Sequence, residues 1–217
     1  MLPPAGIFLG LIPALIVLYI GLKGWEGYYK EKTVFILLVI GLIIGFIASI
    51  IEYLTVSAGL IVILLFPLLE QILKTIVLNI SSLQEKQETT LYGLAIGLGF
   101  GSMFMPFSLL LINVKLDLTL LFLFIGSIGI ILFHGATGIL LGYGIYQSRL
   151  PRYFSIVILF HLPITIWFFL TTILNLEYLQ VVLIFYGLII YWYASKKFLK
   201  KVLLQVKSRR RVKRKQR

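Results

Sequence analysis

The run "TVFILLVIGLIIGFIASIIEYLTVSAGLIVILLF", residues 33–66, contains a single charged side chain, Glu52. About 20 predominantly apolar residues suffice to cross the hydrocarbon core of a bilayer. This run is too long for one crossing, so it must turn back on itself. Its most polar interruption is "EYLT", residues 52–55, which predicts two spanning helices near 33–51 and 56–80. Glu52 then falls in a surface turn, where hydration accounts for it.

The remainder of the chain repeats this pattern. Further apolar runs predict helices near 5–22, 91–113, 118–145, 154–173 and 178–195, divided by "KGWEGYYKEK", "SSLQEKQETT", "VKLD", "YQSRLPRY" and "NLEY". The 217 residues are 60% hydrophobic and 13% charged, with a mean hydropathy of +1.03. Soluble domains carry about 25% charged residues, so lipid is the solvent that accommodates this surplus of apolar surface. The expected fold is all-α, a polytopic membrane helix bundle of about seven transmembrane helices. It occupies residues 1–195 as one domain, without internal repeats, and a basic tail follows at 196–217.

There is no cysteine, which excludes disulfides, thiolate metal sites, a cysteine nucleophile and S-acylation. The N-terminal "MLPPAGIFLGLIPALIVLYIGLKGWEG" lacks a basic n-region, and its apolar run approaches spanning length. It reads as a retained first helix. Of the 20 Lys and Arg residues, twelve lie after residue 195. Beside a last spanning helix, such a tail is expected to meet anionic lipid headgroups rather than nucleic acid. Its first half, "KKFLKKVLLQVK", has the spacing of an interfacial helix. With seven spans and a cytoplasmic tail, Lys23, Lys30, Lys32, Lys86, Arg149 and Arg152 share the tail's side, against Lys115 alone on the other. The positive-inside rule then sets the N-terminus outside and the C-terminus cytoplasmic, in a multi-pass cell-membrane protein.

Ionisable side chains inside spans are costly and are functional candidates by default. Four stand out: Glu70 and Lys74 in "FPLLEQILKT", residues 66–75, and the two histidines, His134 and His161. At 1.5 Å of rise per residue, Glu70, His134 and His161 lie about 15, 16 and 10 Å from the cytoplasmic ends of their predicted helices. They share one layer. Gly93, Gly97 and Gly101 form a stripe that lets a neighbouring backbone approach closely. A carboxylate with two imidazoles can ligate zinc or another divalent metal, with Glu70, His134 and His161 as ligands. It can also deprotonate a water directly, with Glu70 as general base. Lys74 follows Glu70 by one turn, in the favourable order for an ion pair. The plainer reading is that Glu70 and Lys74 neutralise each other while both histidines are satisfied core residues.

These residues resemble the pattern of the PrsW family of intramembrane proteases, within the group that includes CAAX prenyl endopeptidases and bacteriocin self-immunity proteins. "PLLEQILK", "LYGLAIGLGFGSMF", "FHGATGILLGYG" and "FHLPITIW" follow in the family's order over roughly residues 60–170. The resemblance implies catalytic roles for Glu70, Lys74, His134 and His161. Two positions depart from the pattern: Gln71 stands in place of a second Glu, and Phe104 in place of a later carboxylate.

The expectation is an intramembrane hydrolase, a metal-dependent or metal-independent endopeptidase acting on a membrane protein or lipidated peptide. Glu70, His134 and His161 are expected to line a water-accessible cavity open to the cytoplasm. The alternatives are a catalytically degenerate relative acting as a membrane scaffold or immunity factor, and a small proton-coupled transporter.

Overall fold

In the computed structural model, residues 6–55, 57, 59–84, 86–111 and 118–215 are described, and among these no strand occurs. The helices are α1 (Gly6–Leu22), α2 (Glu31–Thr55), α3 (Leu60–Leu78), α4 (Thr89–Ser102), α5 (Phe104–Leu111), α6 (Leu118–Tyr146), α7 (Leu150–Ile173), α8 (Leu183–Ala194) and α9 (Lys200–Lys215). A 3₁₀ segment (Glu177–Val182) precedes α8. Five helical stretches are long and apolar enough to cross a membrane: 31–55, 89–110, 118–146, 150–173 and 178–209. This is an integral membrane helix bundle by length and composition. Helix is the form that chemistry favours, because every backbone N–H and C=O in hydrocarbon needs a partner within the segment. The expected start of the first helix at residue 5, the end of the fourth at 113, and Lys115 lie outside the described residues.

The centre is an interlocked row, α2–α4–α6–α8, built on glycine. Every residue of α4 is buried, and so is α6 from Ile130 to Ile145. A methyl group on Gly93 would strike the carbonyl of Gly138, and one on Gly138 would strike that of Gly93. Gly97 lies against the His134 carbonyl in the same way. Gly41 and Gly45 seat α2 on α4, and Gly129 and Gly187 seat α6 on α8. Small residues are what allow backbones to meet this closely where lipid supplies no hydrophobic driving force.

α3 and α7 flank this row and pack on each other. α3 shows two faces. Ile61, Leu64, Leu65, Leu68, Ile72 and Ile76 are exposed, while Ile63, Pro67, Glu70, Gln71, Lys74 and Leu78 are buried. The outward stripe is apolar and suits lipid; the inward stripe carries the polar residues. α7 turns Val157, His161, Ile164 and Thr165 inward.

Two boundaries differ from the sequence reading. The turn expected at 52–55 is displaced, because α2 continues through Glu52 to Thr55, whose Oγ1 donates to the Ile51 carbonyl (2.6 Å). Gly59, at φ 103°, makes the reversal instead. Glu52 is therefore a helical residue and not a turn residue. The boundary expected at 195/196 also falls inside helix. The chain passes from α8 through one π-type turn (Ser195–Leu199) straight into α9. Phe198 packs its ring on Tyr143, Tyr153 and Tyr193 at 4.9–5.7 Å, and Val202 is fully buried. The interfacial spacing read in "KKFLKKVLLQVK" is present, but its apolar side meets the bundle.

One end of the bundle gathers the basic loops. The backbone N–H of Lys30 donates to Tyr92 Oη, Gln87 bonds Tyr146, and Lys207 of α9 stands near Glu26. Glu26 accepts the Gly24 backbone N–H at 2.9 Å, which holds its carboxyl below the usual range.

Candidate functional site

The inward stripe of α3 meets α6 and α7 at mid-length, and there all four singled-out side chains converge. Glu70 Oε2 is 3.5 Å from His134 Nε2, and Glu70 Oε1 is 3.5 Å from His161 Nε2. One carboxylate is thus bracketed by two imidazoles, whose ring centres are 5.4 Å apart. Lys74 Nζ lies 3.1 Å from His134 Nδ1 and 3.1 Å from Thr137 Oγ1, and 4.8 Å from the centre of the Phe100 ring. Gln71 Nε2 lies 3.0 Å from His161 Nδ1. The departure at Gln71 is therefore an orienting contact for the second histidine. The departure at Phe104 is apolar: its ring meets Phe168 edge-on at 5.1 Å.

The elements hold these groups by packing. Gly101 faces the His134 side chain so closely that a methyl there would stand 3.0 Å from its Cβ and Cδ2. Phe133 sits at 5.0 Å from the His161 ring and 5.5 Å from that of His134. Gln71 and Lys74 are fully buried, Glu70 is 7% exposed and each histidine 3%. The site is closed to the exterior, and the expected opening to the cytoplasm is not seen at these residues. A cavity of about 250 Å³ does lie at the cytoplasmic end expected for α3, α6 and α7, between Asn79, Gln84, Ile145, Ser148 and Pro151.

One member escaped the sequence reading. Glu52, on the last turns of α2, stands within electrostatic range of Glu70 and Lys74. Its Oε1 is buried without a donor, as are Glu70 Oε2 and Gln71 Oε1. Only its place at the end of a long apolar run hid it, since a helix continued by one turn carries it inward.

One ligand atom from each of Glu70, His134 and His161 lies within 4.8 Å of the others, so the cluster is compact enough to hold a metal ion. The surrounding hydrogen bonds discriminate further. A metal-bound imidazole uses one nitrogen for the metal and donates from the other to an acceptor. At His161 this is met if the Gln71 amide turns its oxygen toward Nδ1, because amide O and N exchange places by rotation. At His134 the partner of Nδ1 is Lys74, and an ammonium has three donors and no acceptor. Nδ1 must then accept, so the proton sits on Nε2, the nitrogen that faces Glu70. With Lys74 as an ammonium, His134 in this arrangement has no lone pair to offer a metal.

Family models, curated proteins and solved structures yield no match to this chain.

Proposed function

We propose that this chain is an intramembrane hydrolase of PrsW-like type, crossing the membrane seven times with its basic end in the cytoplasm, and that it cuts a peptide bond of a membrane protein or lipidated peptide. One observation supports the reading above the rest: a buried carboxylate held between two imidazole Nε2 atoms, at 3.5 Å each, on three separate helices. Burying such groups costs several kcal/mol each unless they are paired. A bundle that needed only stability would do without them.

In this reading Glu70 is the general base. It takes one proton from a water, and the hydroxide oxygen bonds to the carbonyl carbon of the scissile amide. The Nε2–H groups of His134 and His161 turn from Glu70 to the oxygen that gains charge. Glu70 then returns its proton to the amide nitrogen as the C–N bond breaks, releasing an amine and a carboxylic acid. Lys74 neutralises the site and fixes the His134 tautomer. Because the site is closed, substrate reaches it by displacement of α3, which meets α4 and α6 only lightly and presents an apolar face to lipid.

The compact ligand cluster favours a competing form, in which zinc or another divalent ion lies among Glu70, His134 and His161 and supplies a Lewis acid; it requires Lys74 to give up its contact with His134. A non-catalytic scaffold or immunity factor is favoured by the closure of the site, and a proton-coupled carrier by the buried Glu, Lys and His together. The test is cleavage of quenched fluorescent transmembrane and lipidated peptides by the full chain in detergent. The proposed reaction is lost in Glu70→Gln and survives a chelator. Cleavage abolished by the chelator and restored by zinc selects the metal form, and no cleavage by folded wild type selects the non-enzymatic readings.

A further inference from the structure

We propose that the junction of α8 and α9 is a binding site for one anionic phospholipid of the leaflet at the basic end. Lys196, Lys200 and Lys201 hold its phosphate, and its acyl chains lie along α8. The site stands independently of the hydrolase reading.

The course of the helix sets this up. The stretch from Tyr178 to Arg209 is long and apolar enough to cross a membrane. From Tyr178 to Lys196 the chain rises about 27 Å at 1.5 Å per residue, against a hydrocarbon core of about 30 Å. Lys196 therefore emerges where headgroups begin. On the way, Phe185, Leu188, Ile189 and Trp192 are exposed as one outward stripe, the face that lipid covers. At helical spacing the same stripe runs on into Lys196 and Lys200, both exposed. The π-type turn at Ser195–Leu199 closes over five residues, which brings Lys201 to the same side. Tryptophan favours the membrane–water boundary, and Lys196 Nζ lies 4.7 Å from the centre of the Trp192 ring.

Other cations of this segment are engaged by the protein itself. Lys197 Nζ donates to Tyr193 Oη at 3.2 Å, and Lys207 stands near Glu26. Lys196, Lys200, Lys201 and Arg209 instead line one open depression of about 660 Å³, together with Gln205 and Ser208. Among the described residues no carboxylate forms an ion pair with these four. Like charges one turn apart on a helix repel, so this face favours an anion between them. A phosphodiester brings a negative charge and acceptor oxygens for the ammonium groups. A soluble phosphate makes no use of the apolar stripe that runs into the lysines, and a nucleic acid would be pressed against hydrocarbon at Trp192. A phospholipid matches both halves. Phe198 and Val202 are buried on the bundle, so the cations are held in place and not presented on a loose tail.

The experiment is native mass spectrometry of the full chain released from micelles holding equal amounts of phosphatidylglycerol and phosphatidylcholine. Wild type is expected to retain one phosphatidylglycerol in about 100-fold preference to phosphatidylcholine, since each of three lysines near anionic headgroups contributes about fivefold. The triple variant Lys196→Gln, Lys200→Gln, Lys201→Gln is expected to lose this preference, and the same three changed to Arg to keep it. Changing the exposed Lys23, Lys30 and Lys32 to Gln removes equal charge and is expected to leave retention unchanged. Equal loss in that control would show diffuse attraction by net charge and overturns the site. So does uptake of phosphatidylcholine by wild type as readily as phosphatidylglycerol. Displacement of the lipid by glycerol phosphate or by a short oligonucleotide also overturns it, and assigns the depression to a soluble phosphate or to nucleic acid.

Discussion

As an ammonium, Lys74 has three N–H donors and no acceptor, and two of them reach His134 Nδ1 and Thr137 Oγ1. That small fact governs the protons around Glu70. Replacing Lys74 with Met leaves the buried carboxyls without their counter-charge, and removing one partner of a buried pair costs about 3–5 kcal/mol. Thermal unfolding in detergent checks this. The same substitution frees His134 to place its proton on Nδ1, so Lys74→Met is expected to bind zinc more tightly than wild type in equilibrium dialysis. Stoichiometric zinc retained by wild type through purification would contradict the tautomer assignment. Glu70, Lys74, His134 and His161 were legible in the sequence because a titratable group in hydrocarbon is conspicuous against leucine and isoleucine. Glu52 was not legible. Whether a helix ends at residue 51 or 55 decides if that carboxylate stands in a surface turn or turns an oxygen inward, and the apolar run leading into it is silent on the point. Gln71 was read as a missing carboxylate, because sequence does not show which ring nitrogen an amide will meet.

The helices were legible as elements because each apolar run is long and its polar breaks are few. Their packing was legible in one place, the stripe Gly93, Gly97 and Gly101 on α4. Gly93 and Gly97 meet the α6 backbone and Gly101 meets the His134 side chain. Gly97→Leu is therefore expected to destabilise the bundle by about 1–3 kcal/mol or more, as overpacking does. An unchanged melting temperature in detergent would mean that α4 and α6 do not interlock. Gly101→Ala is a finer probe. The added methyl would stand 3.0 Å from the His134 side chain and equally close to Ile131 Cα of α6, so activity on the fluorescent peptides and stability are both expected to fall. The complementary glycines of α2, α6 and α8 were not legible as partners, since a sequence shows which residues are small but not which backbones they face.

Across the whole molecule, the basic C-terminal segment is as much bundle as tail. Phe198 is wedged among three tyrosines and Val202 is fully buried, so Phe198→Ala is expected to cost about 3–5 kcal/mol. Truncation after residue 195 is expected to lower the melting temperature rather than leave it untouched. The sequence showed both the charge of this segment and the apolar side at Phe198, Leu199 and Val202, but an apolar stripe beside basic residues suits a lipid surface as well as a bundle, so its packing on the bundle was not legible. The bundle as a whole places three helices so that one carboxylate lies between two histidines. Cleavage of quenched fluorescent transmembrane and lipidated peptides by the full chain, wild type beside Glu70→Gln, tests that most directly. Wild type is expected to cleave in the presence of a chelator, and folded Glu70→Gln to be slower by at least about 100-fold, the lower range for loss of a general base. Equal cleavage by the two proteins, or none by wild type, would contradict it.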